Sequence, residues 1–444
     1  MKKSKFLNNW QKKKILTSKQ YQSKAFEKIN NLVVKARQKR QIFLSDGTQL
    51  TEFMSCSYLG LDQDKRVISS SADITQYGVN FAVSRTRMRI ESSLILEKLL
   101  NKIFLGHCVT FTSLHLVHLG MLPLLASGEM PSYPMKRNGP LFILDKTAHA
   151  SIQINQGLMQ QFGEVNRIDF NHACKLEEQL QLAQTTKRTP IIIADGVGSM
   201  GGKIAIQSIF KLADEYEAYV YLDDAHGVSV YGTHGCGYVL NELGYFHPRL
   251  ILAVSLSKAF GAHGAAVVLP TIDDENITRE FAIPYVFSNP LPATIINSAI
   301  AAAYIHLTDE ISTLQNSLQS KISHFDQELA HSSIQSKIIN YQSTSPIRGL
   351  LIGEENKAIE ITDKLRSQYQ LAVTAAMYPT TAKGKAILRI TLGADHQLSD
   401  IENLARCLNQ LIEMIEYYEL HHYITIIYYK HNKKVGFIFI SWFA

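Results

Sequence analysis

The sequence predicts an α/β protein whose larger lobe is built on a mostly parallel sheet and whose smaller C-terminal lobe is α+β. Three observations lead there. From Leu141 onward, short apolar, β-branched runs alternate with longer helical stretches, the pattern of parallel strands joined by crossover helices. Four of those runs are each followed within a few residues by ionisable or hydroxyl side chains. Beyond Asn289–Pro292 the rhythm changes to helix, short strands and helix.

The expected strands are Leu141–Leu144, Ile191–Ala194, Tyr219–Leu222, Leu250–Val254 and Ala265–Leu269. Behind the first four stand Asp145 with His149, Asp195 with Ser199, Asp223 with His226, and Ser255 with Lys258. Ligands of open α/β sheets bind outside the carboxyl ends of the strands, so these groups, distant in sequence, converge on one crevice. That convergence points to an enzyme. Residues 1–59 read as a basic arm and the first segment of the small lobe, 60–290 as the large lobe, 291–415 as the small lobe, and 416–444 as an apolar tail. In the small lobe a single Arg389 interrupts the apolar segment Ala386–Leu392, ahead of a helix around Asp400–Ile415.

With 444 residues, 46% of them hydrophobic and 19% charged, the chain can bury a large core and is neither collagen-like, coiled-coil nor disordered. Its charge of +6 is uneven. Residues 1–40 hold thirteen Lys and Arg against one acid, Glu27, a surplus of twelve that leaves the remainder at −6. Such an arm suits a solvated amphipathic helix, with at most weak contact to an anionic membrane and no nucleic-acid role expected. Met1–Lys14 lacks the apolar run of a signal peptide. In the tail, Ile424–Tyr429 and Val435–Ala444 are separated by Lys430–Lys434 and are each too short to cross a bilayer. A pair of strands, a lid or a surface anchor would all suit them. The five cysteines, Cys56, Cys108, Cys174, Cys236 and Cys407, have no paired spacing, so a reducing, cytoplasmic setting is expected, without disulfides.

Four stretches carry chemistry. In LILAVSLSKAFGAHG a buried strand ends in Ser255 and then a lone Lys258 among small residues, as a Schiff-base site requires, although a surface lysine at a strand end would read the same. In YVYLDDAHGVSVYG, Asp223 could hold a protonated ring nitrogen and His226 could donate to a phenolic oxygen. An Asp/His pair closing a turn is the plainer reading. A metal site would need more ligands than Asp224, the only near candidate, so no metal is expected. His149, in DKTAHASIQINQG, could stack on a cofactor or close a turn. The loop TFTSLH, Thr110–His115, offers the Ser113 hydroxyl and backbone donors at a helix start, a setting suited to phosphate.

Taken together, SLSKAFG, LDDAHGVSVYG, DKTAHASI, DGVGSMGG, SYLGL at Ser57–Leu61 and LRITLGADH resemble the α-oxoamine synthases, in order from about Phe43 to Ile415. The resemblance implies a fold-type I transferase that depends on pyridoxal 5′-phosphate (PLP), with a mostly parallel seven-stranded sheet in the large, PLP-binding domain and a smaller α+β C-terminal domain. It implies that Lys258 bonds the cofactor and moves the α-proton, that Asp223 pairs with the pyridine nitrogen, His226 with the ring phenolate and Ser199 with the ring oxygen region, and that His149 stacks on the ring. Ser113, Ser255 and the amides of Leu114 and His115 would hold the phosphate, while Ser288 and Asn289 would reach the phosphate of a neighbouring subunit in a homodimer. Arg389 would clamp the carboxylate of an amino-acid substrate, with Cys56 and Tyr58 nearby.

The sequence departs from the family at several points. Cys56 stands where the family usually has Asn, so one substrate contact is expected to be missing. Met88 and Arg89 lie near an expected glycine, His118 takes the place of another Asn, and Asp195 replaces a longer acid. These changes gather around the substrate, and the likeness is best to the bacterial α-hydroxyketone autoinducer synthases, which join an acyl-CoA to an amino-acid-derived carbanion. A housekeeping α-oxoamine synthase such as 8-amino-7-oxononanoate synthase, an aminotransferase or lyase of the same fold, and a non-catalytic subunit are the alternatives.

Overall fold

The computed structural model describes residues 10–72, 77–78 and 81–431. Its large lobe is a seven-stranded sheet: β1 (His107–Phe111), β2 (Pro140–Asp145), β3 (Glu164–Ile168), β4 (Thr189–Asp195), β5 (Tyr219–Asp223), β6 (Leu250–Ser255) and β7 (Ala265–Leu269). Their spatial order is β1-β7-β6-β5-β4-β2-β3. Only β7 runs antiparallel to its neighbours. β2, β4, β5, β6 and β7 are buried along their whole length, which is why they read as continuous apolar runs. Alternate residues of one strand feed two cores: Ile192 and Ala194 pack on one face, Ile191 and Ile193 on the other. The two strands not expected from sequence are β3, a half-exposed edge strand, and β1, whose last residues are Thr110 and Phe111. The loop expected from Thr110 therefore starts only after Phe111.

Five helices frame the site: α1 (Trp10–Lys28), α2 (Glu91–Phe104), α3 (Leu114–Ser127), α4 (Ala293–His306) and α5 (Leu398–His431). α4 begins directly after Pro292, whose fixed φ suits the entry. α5 corrects the reading of the tail. The helix expected to end near Ile415 continues to His431, so Ile424–Tyr429 is helical and not a strand, because neither Gly nor Pro interrupts the chain between Asp400 and His431. Val435–Ala444 lies outside the described residues. Among the described residues no helix is long and apolar enough to cross a membrane.

The small lobe holds two four-stranded sheets. In one, Val34–Gln38, Gln41–Leu44 and Gln49–Glu52 form a meander that Leu371–Ala372 joins in parallel. In the other, Ala386–Thr391 lies between Ile347–Gly353 and Thr374–Ala376. The N-terminal strands thus complete a lobe made mostly of C-terminal chain.

Arg40 fastens this junction. Its guanidinium is 1% exposed and gives one hydrogen bond to Glu52 (2.9 Å), one to Asp395 (2.6 Å) and one to the Ser57 carbonyl (2.5 Å). Gly393 is required beside it, since a Cβ there would run into the guanidinium. His396 stacks on Phe53 with centroids 4.3 Å apart and donates to the Glu52 carbonyl (3.0 Å). Residues 52–58, which carry Cys56 and Tyr58, are pinned from two sides. Breaking a buried ion pair from one side strands the partner charge. Arg40→Met is therefore expected to lower unfolding free energy by about 3–5 kcal/mol, read as a fall in the urea midpoint. Arg40→Lys should recover only part of it, because an ammonium cannot span three acceptors in one plane.

Candidate active site

The ends of β4, β5 and β6 deliver the site. Asp195 closes β4 and lies directly opposite Asp223, which closes β5. Both are buried, and two carboxyls so placed cannot both ionise cheaply. Burial and the Asp223 charge push Asp195 well above the usual carboxylate range, so it stays neutral and accepts the His149 backbone N–H (3.1 Å). Burial also opposes the charge on Asp223. A hydrogen bond from His118 Nε2 (3.2 Å), the Lys258 charge and the Ala225 N–H (2.9 Å) outweigh it and hold Asp223 below the usual range. Asp223 is the ionised member of the pair.

Lys258 follows β6 by three residues, and its Nζ is 3.0 Å from His226 Nε2. His226 Nδ1 is in turn 2.8 Å from Tyr58 Oη. Burial lowers the proton affinity of Lys258, and burial together with the Lys258 and Arg389 charges holds His226 well below its ordinary value. A neutral imidazole between an amine and a phenol gives one hydrogen bond and receives the other, so it can pass a proton in either direction.

Arg389 enters from the small lobe on the strand Ala386–Thr391. Its Nε donates to the Ser199 carbonyl (2.7 Å) and its Nη2 to Cys56 Sγ (3.5 Å). Burial opposes the Cys56 thiolate, but Arg389, Tyr58 and Lys258 outweigh this and lower its pKa.

The remaining residues line the approach. His149 is exposed, caps the short helix Ala150–Gln153, and has Nδ1 2.7 Å from Ser151 Oγ. Ser113 caps α3 by accepting from Leu116 (3.4 Å), ahead of Leu114 and His115, whose amides have no partner within the helix. Ser255 Oγ accepts from the Ser257 N–H (3.2 Å). Ser199 serves Arg389 by its carbonyl. Ser288 donates to the Pro284 carbonyl, and Asn289 is exposed. Asp223, His226, Lys258, Tyr58, Cys56 and Arg389 thus gather in one cleft, while Ser288 and Asn289 make no described contact with them. Tyr221 went unnoticed in the sequence. It lies two residues before Asp223 on the same strand face, and that spacing is the signal that could have found it.

This donor set fits PLP: an ionised buried carboxylate for the ring nitrogen, a lysine of lowered proton affinity for the aldehyde, a neutral imidazole beside it, and a helix N-terminus for the phosphate.

Residues 146–408 match the family model for aminotransferase class I and II. The chain is 32% identical over 379 residues to an 8-amino-7-oxononanoate synthase of Methylobacillus flagellatus, covering 83% of this chain and 88% of that protein. It is 31% identical over 376 residues to the enzyme of the same name from Dechloromonas aromatica, covering 82% and 91%. Among solved structures, a serine palmitoyltransferase variant from S. paucimobilis superposes with TM-score 0.80 at 20% identity, covering 92% of this chain and 100% of that one. An 8-amino-7-oxononanoate synthase from Francisella tularensis gives 0.63 at 24%, covering 83% and 99%.

Acid sensitivity follows from the buried imidazoles. Burial holds His226 well below its ordinary value, His306 at about 4 and His396 at about 3. In the unfolded chain all three take up protons near 6.5. Their contribution to stability is complete above that pH and is lost as pH falls below it, at about 1.4 kcal/mol per pH unit for each. The urea midpoint of the cofactor-free protein should therefore drop between about pH 7 and 5.5, and His306→Gln should flatten that slope by roughly a third.

Proposed function

The chain belongs to the aminotransferase class I and II family as a PLP-dependent α-oxoamine synthase, and from that premise we propose that it joins an amino acid to an acyl-CoA thioester, as an enzyme of the 8-amino-7-oxononanoate synthase type. The observation that carries this reading is the set Tyr58–His226–Lys258 beside an ionised Asp223, with Arg389 in the same cleft. Bound PLP supplies an electron-poor pyridinium ring that stabilises negative charge on the amino acid's α-carbon. Asp223 keeps the ring nitrogen protonated. Lys258, its proton affinity lowered by burial, holds the cofactor covalently and then serves as the amine that takes and returns the α-proton. His226 can relay a proton between that amine and Tyr58. Arg389 orients the substrate carboxylate, with the Ser199 carbonyl fixing the plane of its guanidinium. The reaction breaks the thioester C–S bond and the bond from the α-carbon to its carboxylate: the α-carbon bonds the acyl carbon, CoA leaves as the thiol, the carboxylate leaves as CO2 and the returned proton takes its place on the α-carbon. Holding the two substrates in reach of each other is the protein's main share in that step.

Signalling-ketone synthesis is the second reading. Its support is the cluster of departures at Cys56, Met88, Arg89 and His118, whereas the curated relatives favour the first. A homodimer in which Ser288 and Asn289 reach the neighbouring phosphate belongs to the same proposal.

A free-thiol assay with PLP-loaded protein, crossing short to long acyl-CoAs with a panel of amino acids, tests it. CoA release that needs both substrates is expected. Release confined to long acyl-CoAs would favour the second reading, and no release with any pair would overturn both. Lys258→Ala should retain the fold and lose turnover. Arg389→Lys should raise the amino-acid KM by about tenfold, one charge-assisted hydrogen bond's worth. An unchanged KM would remove Arg389 from the carboxylate role.

A further inference from the structure

His118 occupies the middle of a fully buried polar chain that none of the steps above uses. It stands on the second turn of α3 and is 0% exposed. Its Nδ1 lies 2.8 Å from Tyr221 Oη and its Nε2 lies 3.2 Å from Asp223 Oδ2. Tyr221 and Asp223 are two residues apart on β5 and so present their side chains to the same helix.

The carboxylate fixes the direction of one of these two hydrogen bonds. An ionised carboxylate can only accept, so Nε2 carries a proton toward Asp223. Burial pushes the Tyr221 phenol well above its ordinary value, so it keeps its proton, and its hydroxyl is hydrogen-bonded with Nδ1. The imidazole is thereby held at both ring nitrogens. Asp223 is held at both oxygens, Oδ2 by His118 and Oδ1 by the Ala225 N–H (2.9 Å), and its carboxylate plane cannot turn. An Asn at position 118 could also donate an amide N–H, but its shorter side chain would not depend on Tyr221 for its orientation.

We propose that Tyr221 and His118 form a hydrogen-bonded relay behind Asp223, in which Tyr221 orients the imidazole and His118 is a positioning residue that keeps Asp223 charged and aimed at the cofactor's ring nitrogen. The inference rests on the reading of Asp223 as the partner of that nitrogen. Through Asp223 the relay sets how tightly PLP is held and how strongly its ring is polarised.

The test measures the PLP dissociation constant of the cofactor-free protein and the absorption spectrum of the bound cofactor, with the melting temperature of the cofactor-free protein as the control for folding. The variants are His118→Phe, Tyr221→Phe, the double variant, His118→Asn and Asp223→Asn. His118→Phe should weaken PLP binding by about tenfold, the share of one hydrogen bond to a charged group, and Tyr221→Phe by a smaller factor. Both should move the spectrum in the direction that Asp223→Asn moves it. The double variant should bind PLP like His118→Phe alone, because Tyr221 acts only through the imidazole. His118→Asn should recover most of the affinity, and Tyr221→Phe added to it should change nothing further. Wild-type affinity and spectrum in His118→Phe, or losses that simply add in the double variant, would overturn the relay. Wild-type PLP binding by Asp223→Asn would instead overturn the reading of the pocket, and the relay with it. If His118→Phe fails to fold, the Tyr221→Phe comparison in the wild-type and His118→Asn backgrounds decides alone.

Discussion

One negative charge in a dry place organises this protein. Asp223 sits at the end of a central strand with almost no solvent, and a carboxylate there is costly unless its surroundings compensate it. The compensation comes from several elements at once: a hydrogen bond from α3, a backbone N–H from its own turn and the Lys258 ammonium after β6, while Asp195 on the adjacent strand is pushed toward its neutral form. Each neighbour takes the protonation state that the Asp223 charge leaves open to it. Asp195 is neutral for the same reason that Asp223 is not, which separates two otherwise similar carboxyls into a structural acceptor and a charged partner for a cofactor.

The same site is assembled from both lobes, and the junction is where rigidity is concentrated. Arg40 joins the N-terminal meander, residues 52–58 and the loop after Ala386–Thr391 through three acceptors in one plane. Cys56 and Tyr58 ride on one arm of that clamp and Arg389 on another. All three are therefore positioned by a cation that bonds none of them directly. Cofactor-side residues, by contrast, stand on strand ends and on the N-terminus of α3, where the sheet itself holds them.

This division explains where the chain departs from its family. Cys56, Met88 and Arg89 lie on loops and His118 on α3, while Asp223 closes β5 and His226 and Lys258 each follow a strand end by three residues. A cysteine against Arg389 keeps that guanidinium partnered and changes what a substrate carboxylate must displace.

The amino-acid sequence by itself determined the strands β2, β4, β5, β6 and β7, because strands buried on both faces leave continuous apolar runs, and it determined which reactive groups follow them. The half-exposed β3, the polar start of β1 and the length of α5 were less legible, since an edge strand lacks a run and a helix without Gly or Pro has no written end. What only the tertiary structure decided is partnership. Tyr58 meets His226 across 168 residues, Arg389 meets Ser199 across 190 and Cys56 across 333, and His118 meets Asp223 across 105. Local periodicity fixes which face a side chain points to, but contacts between such distant segments, and the protonation states they impose on Asp195, Asp223 and His226, exist only once the sheet and the two lobes have closed around them.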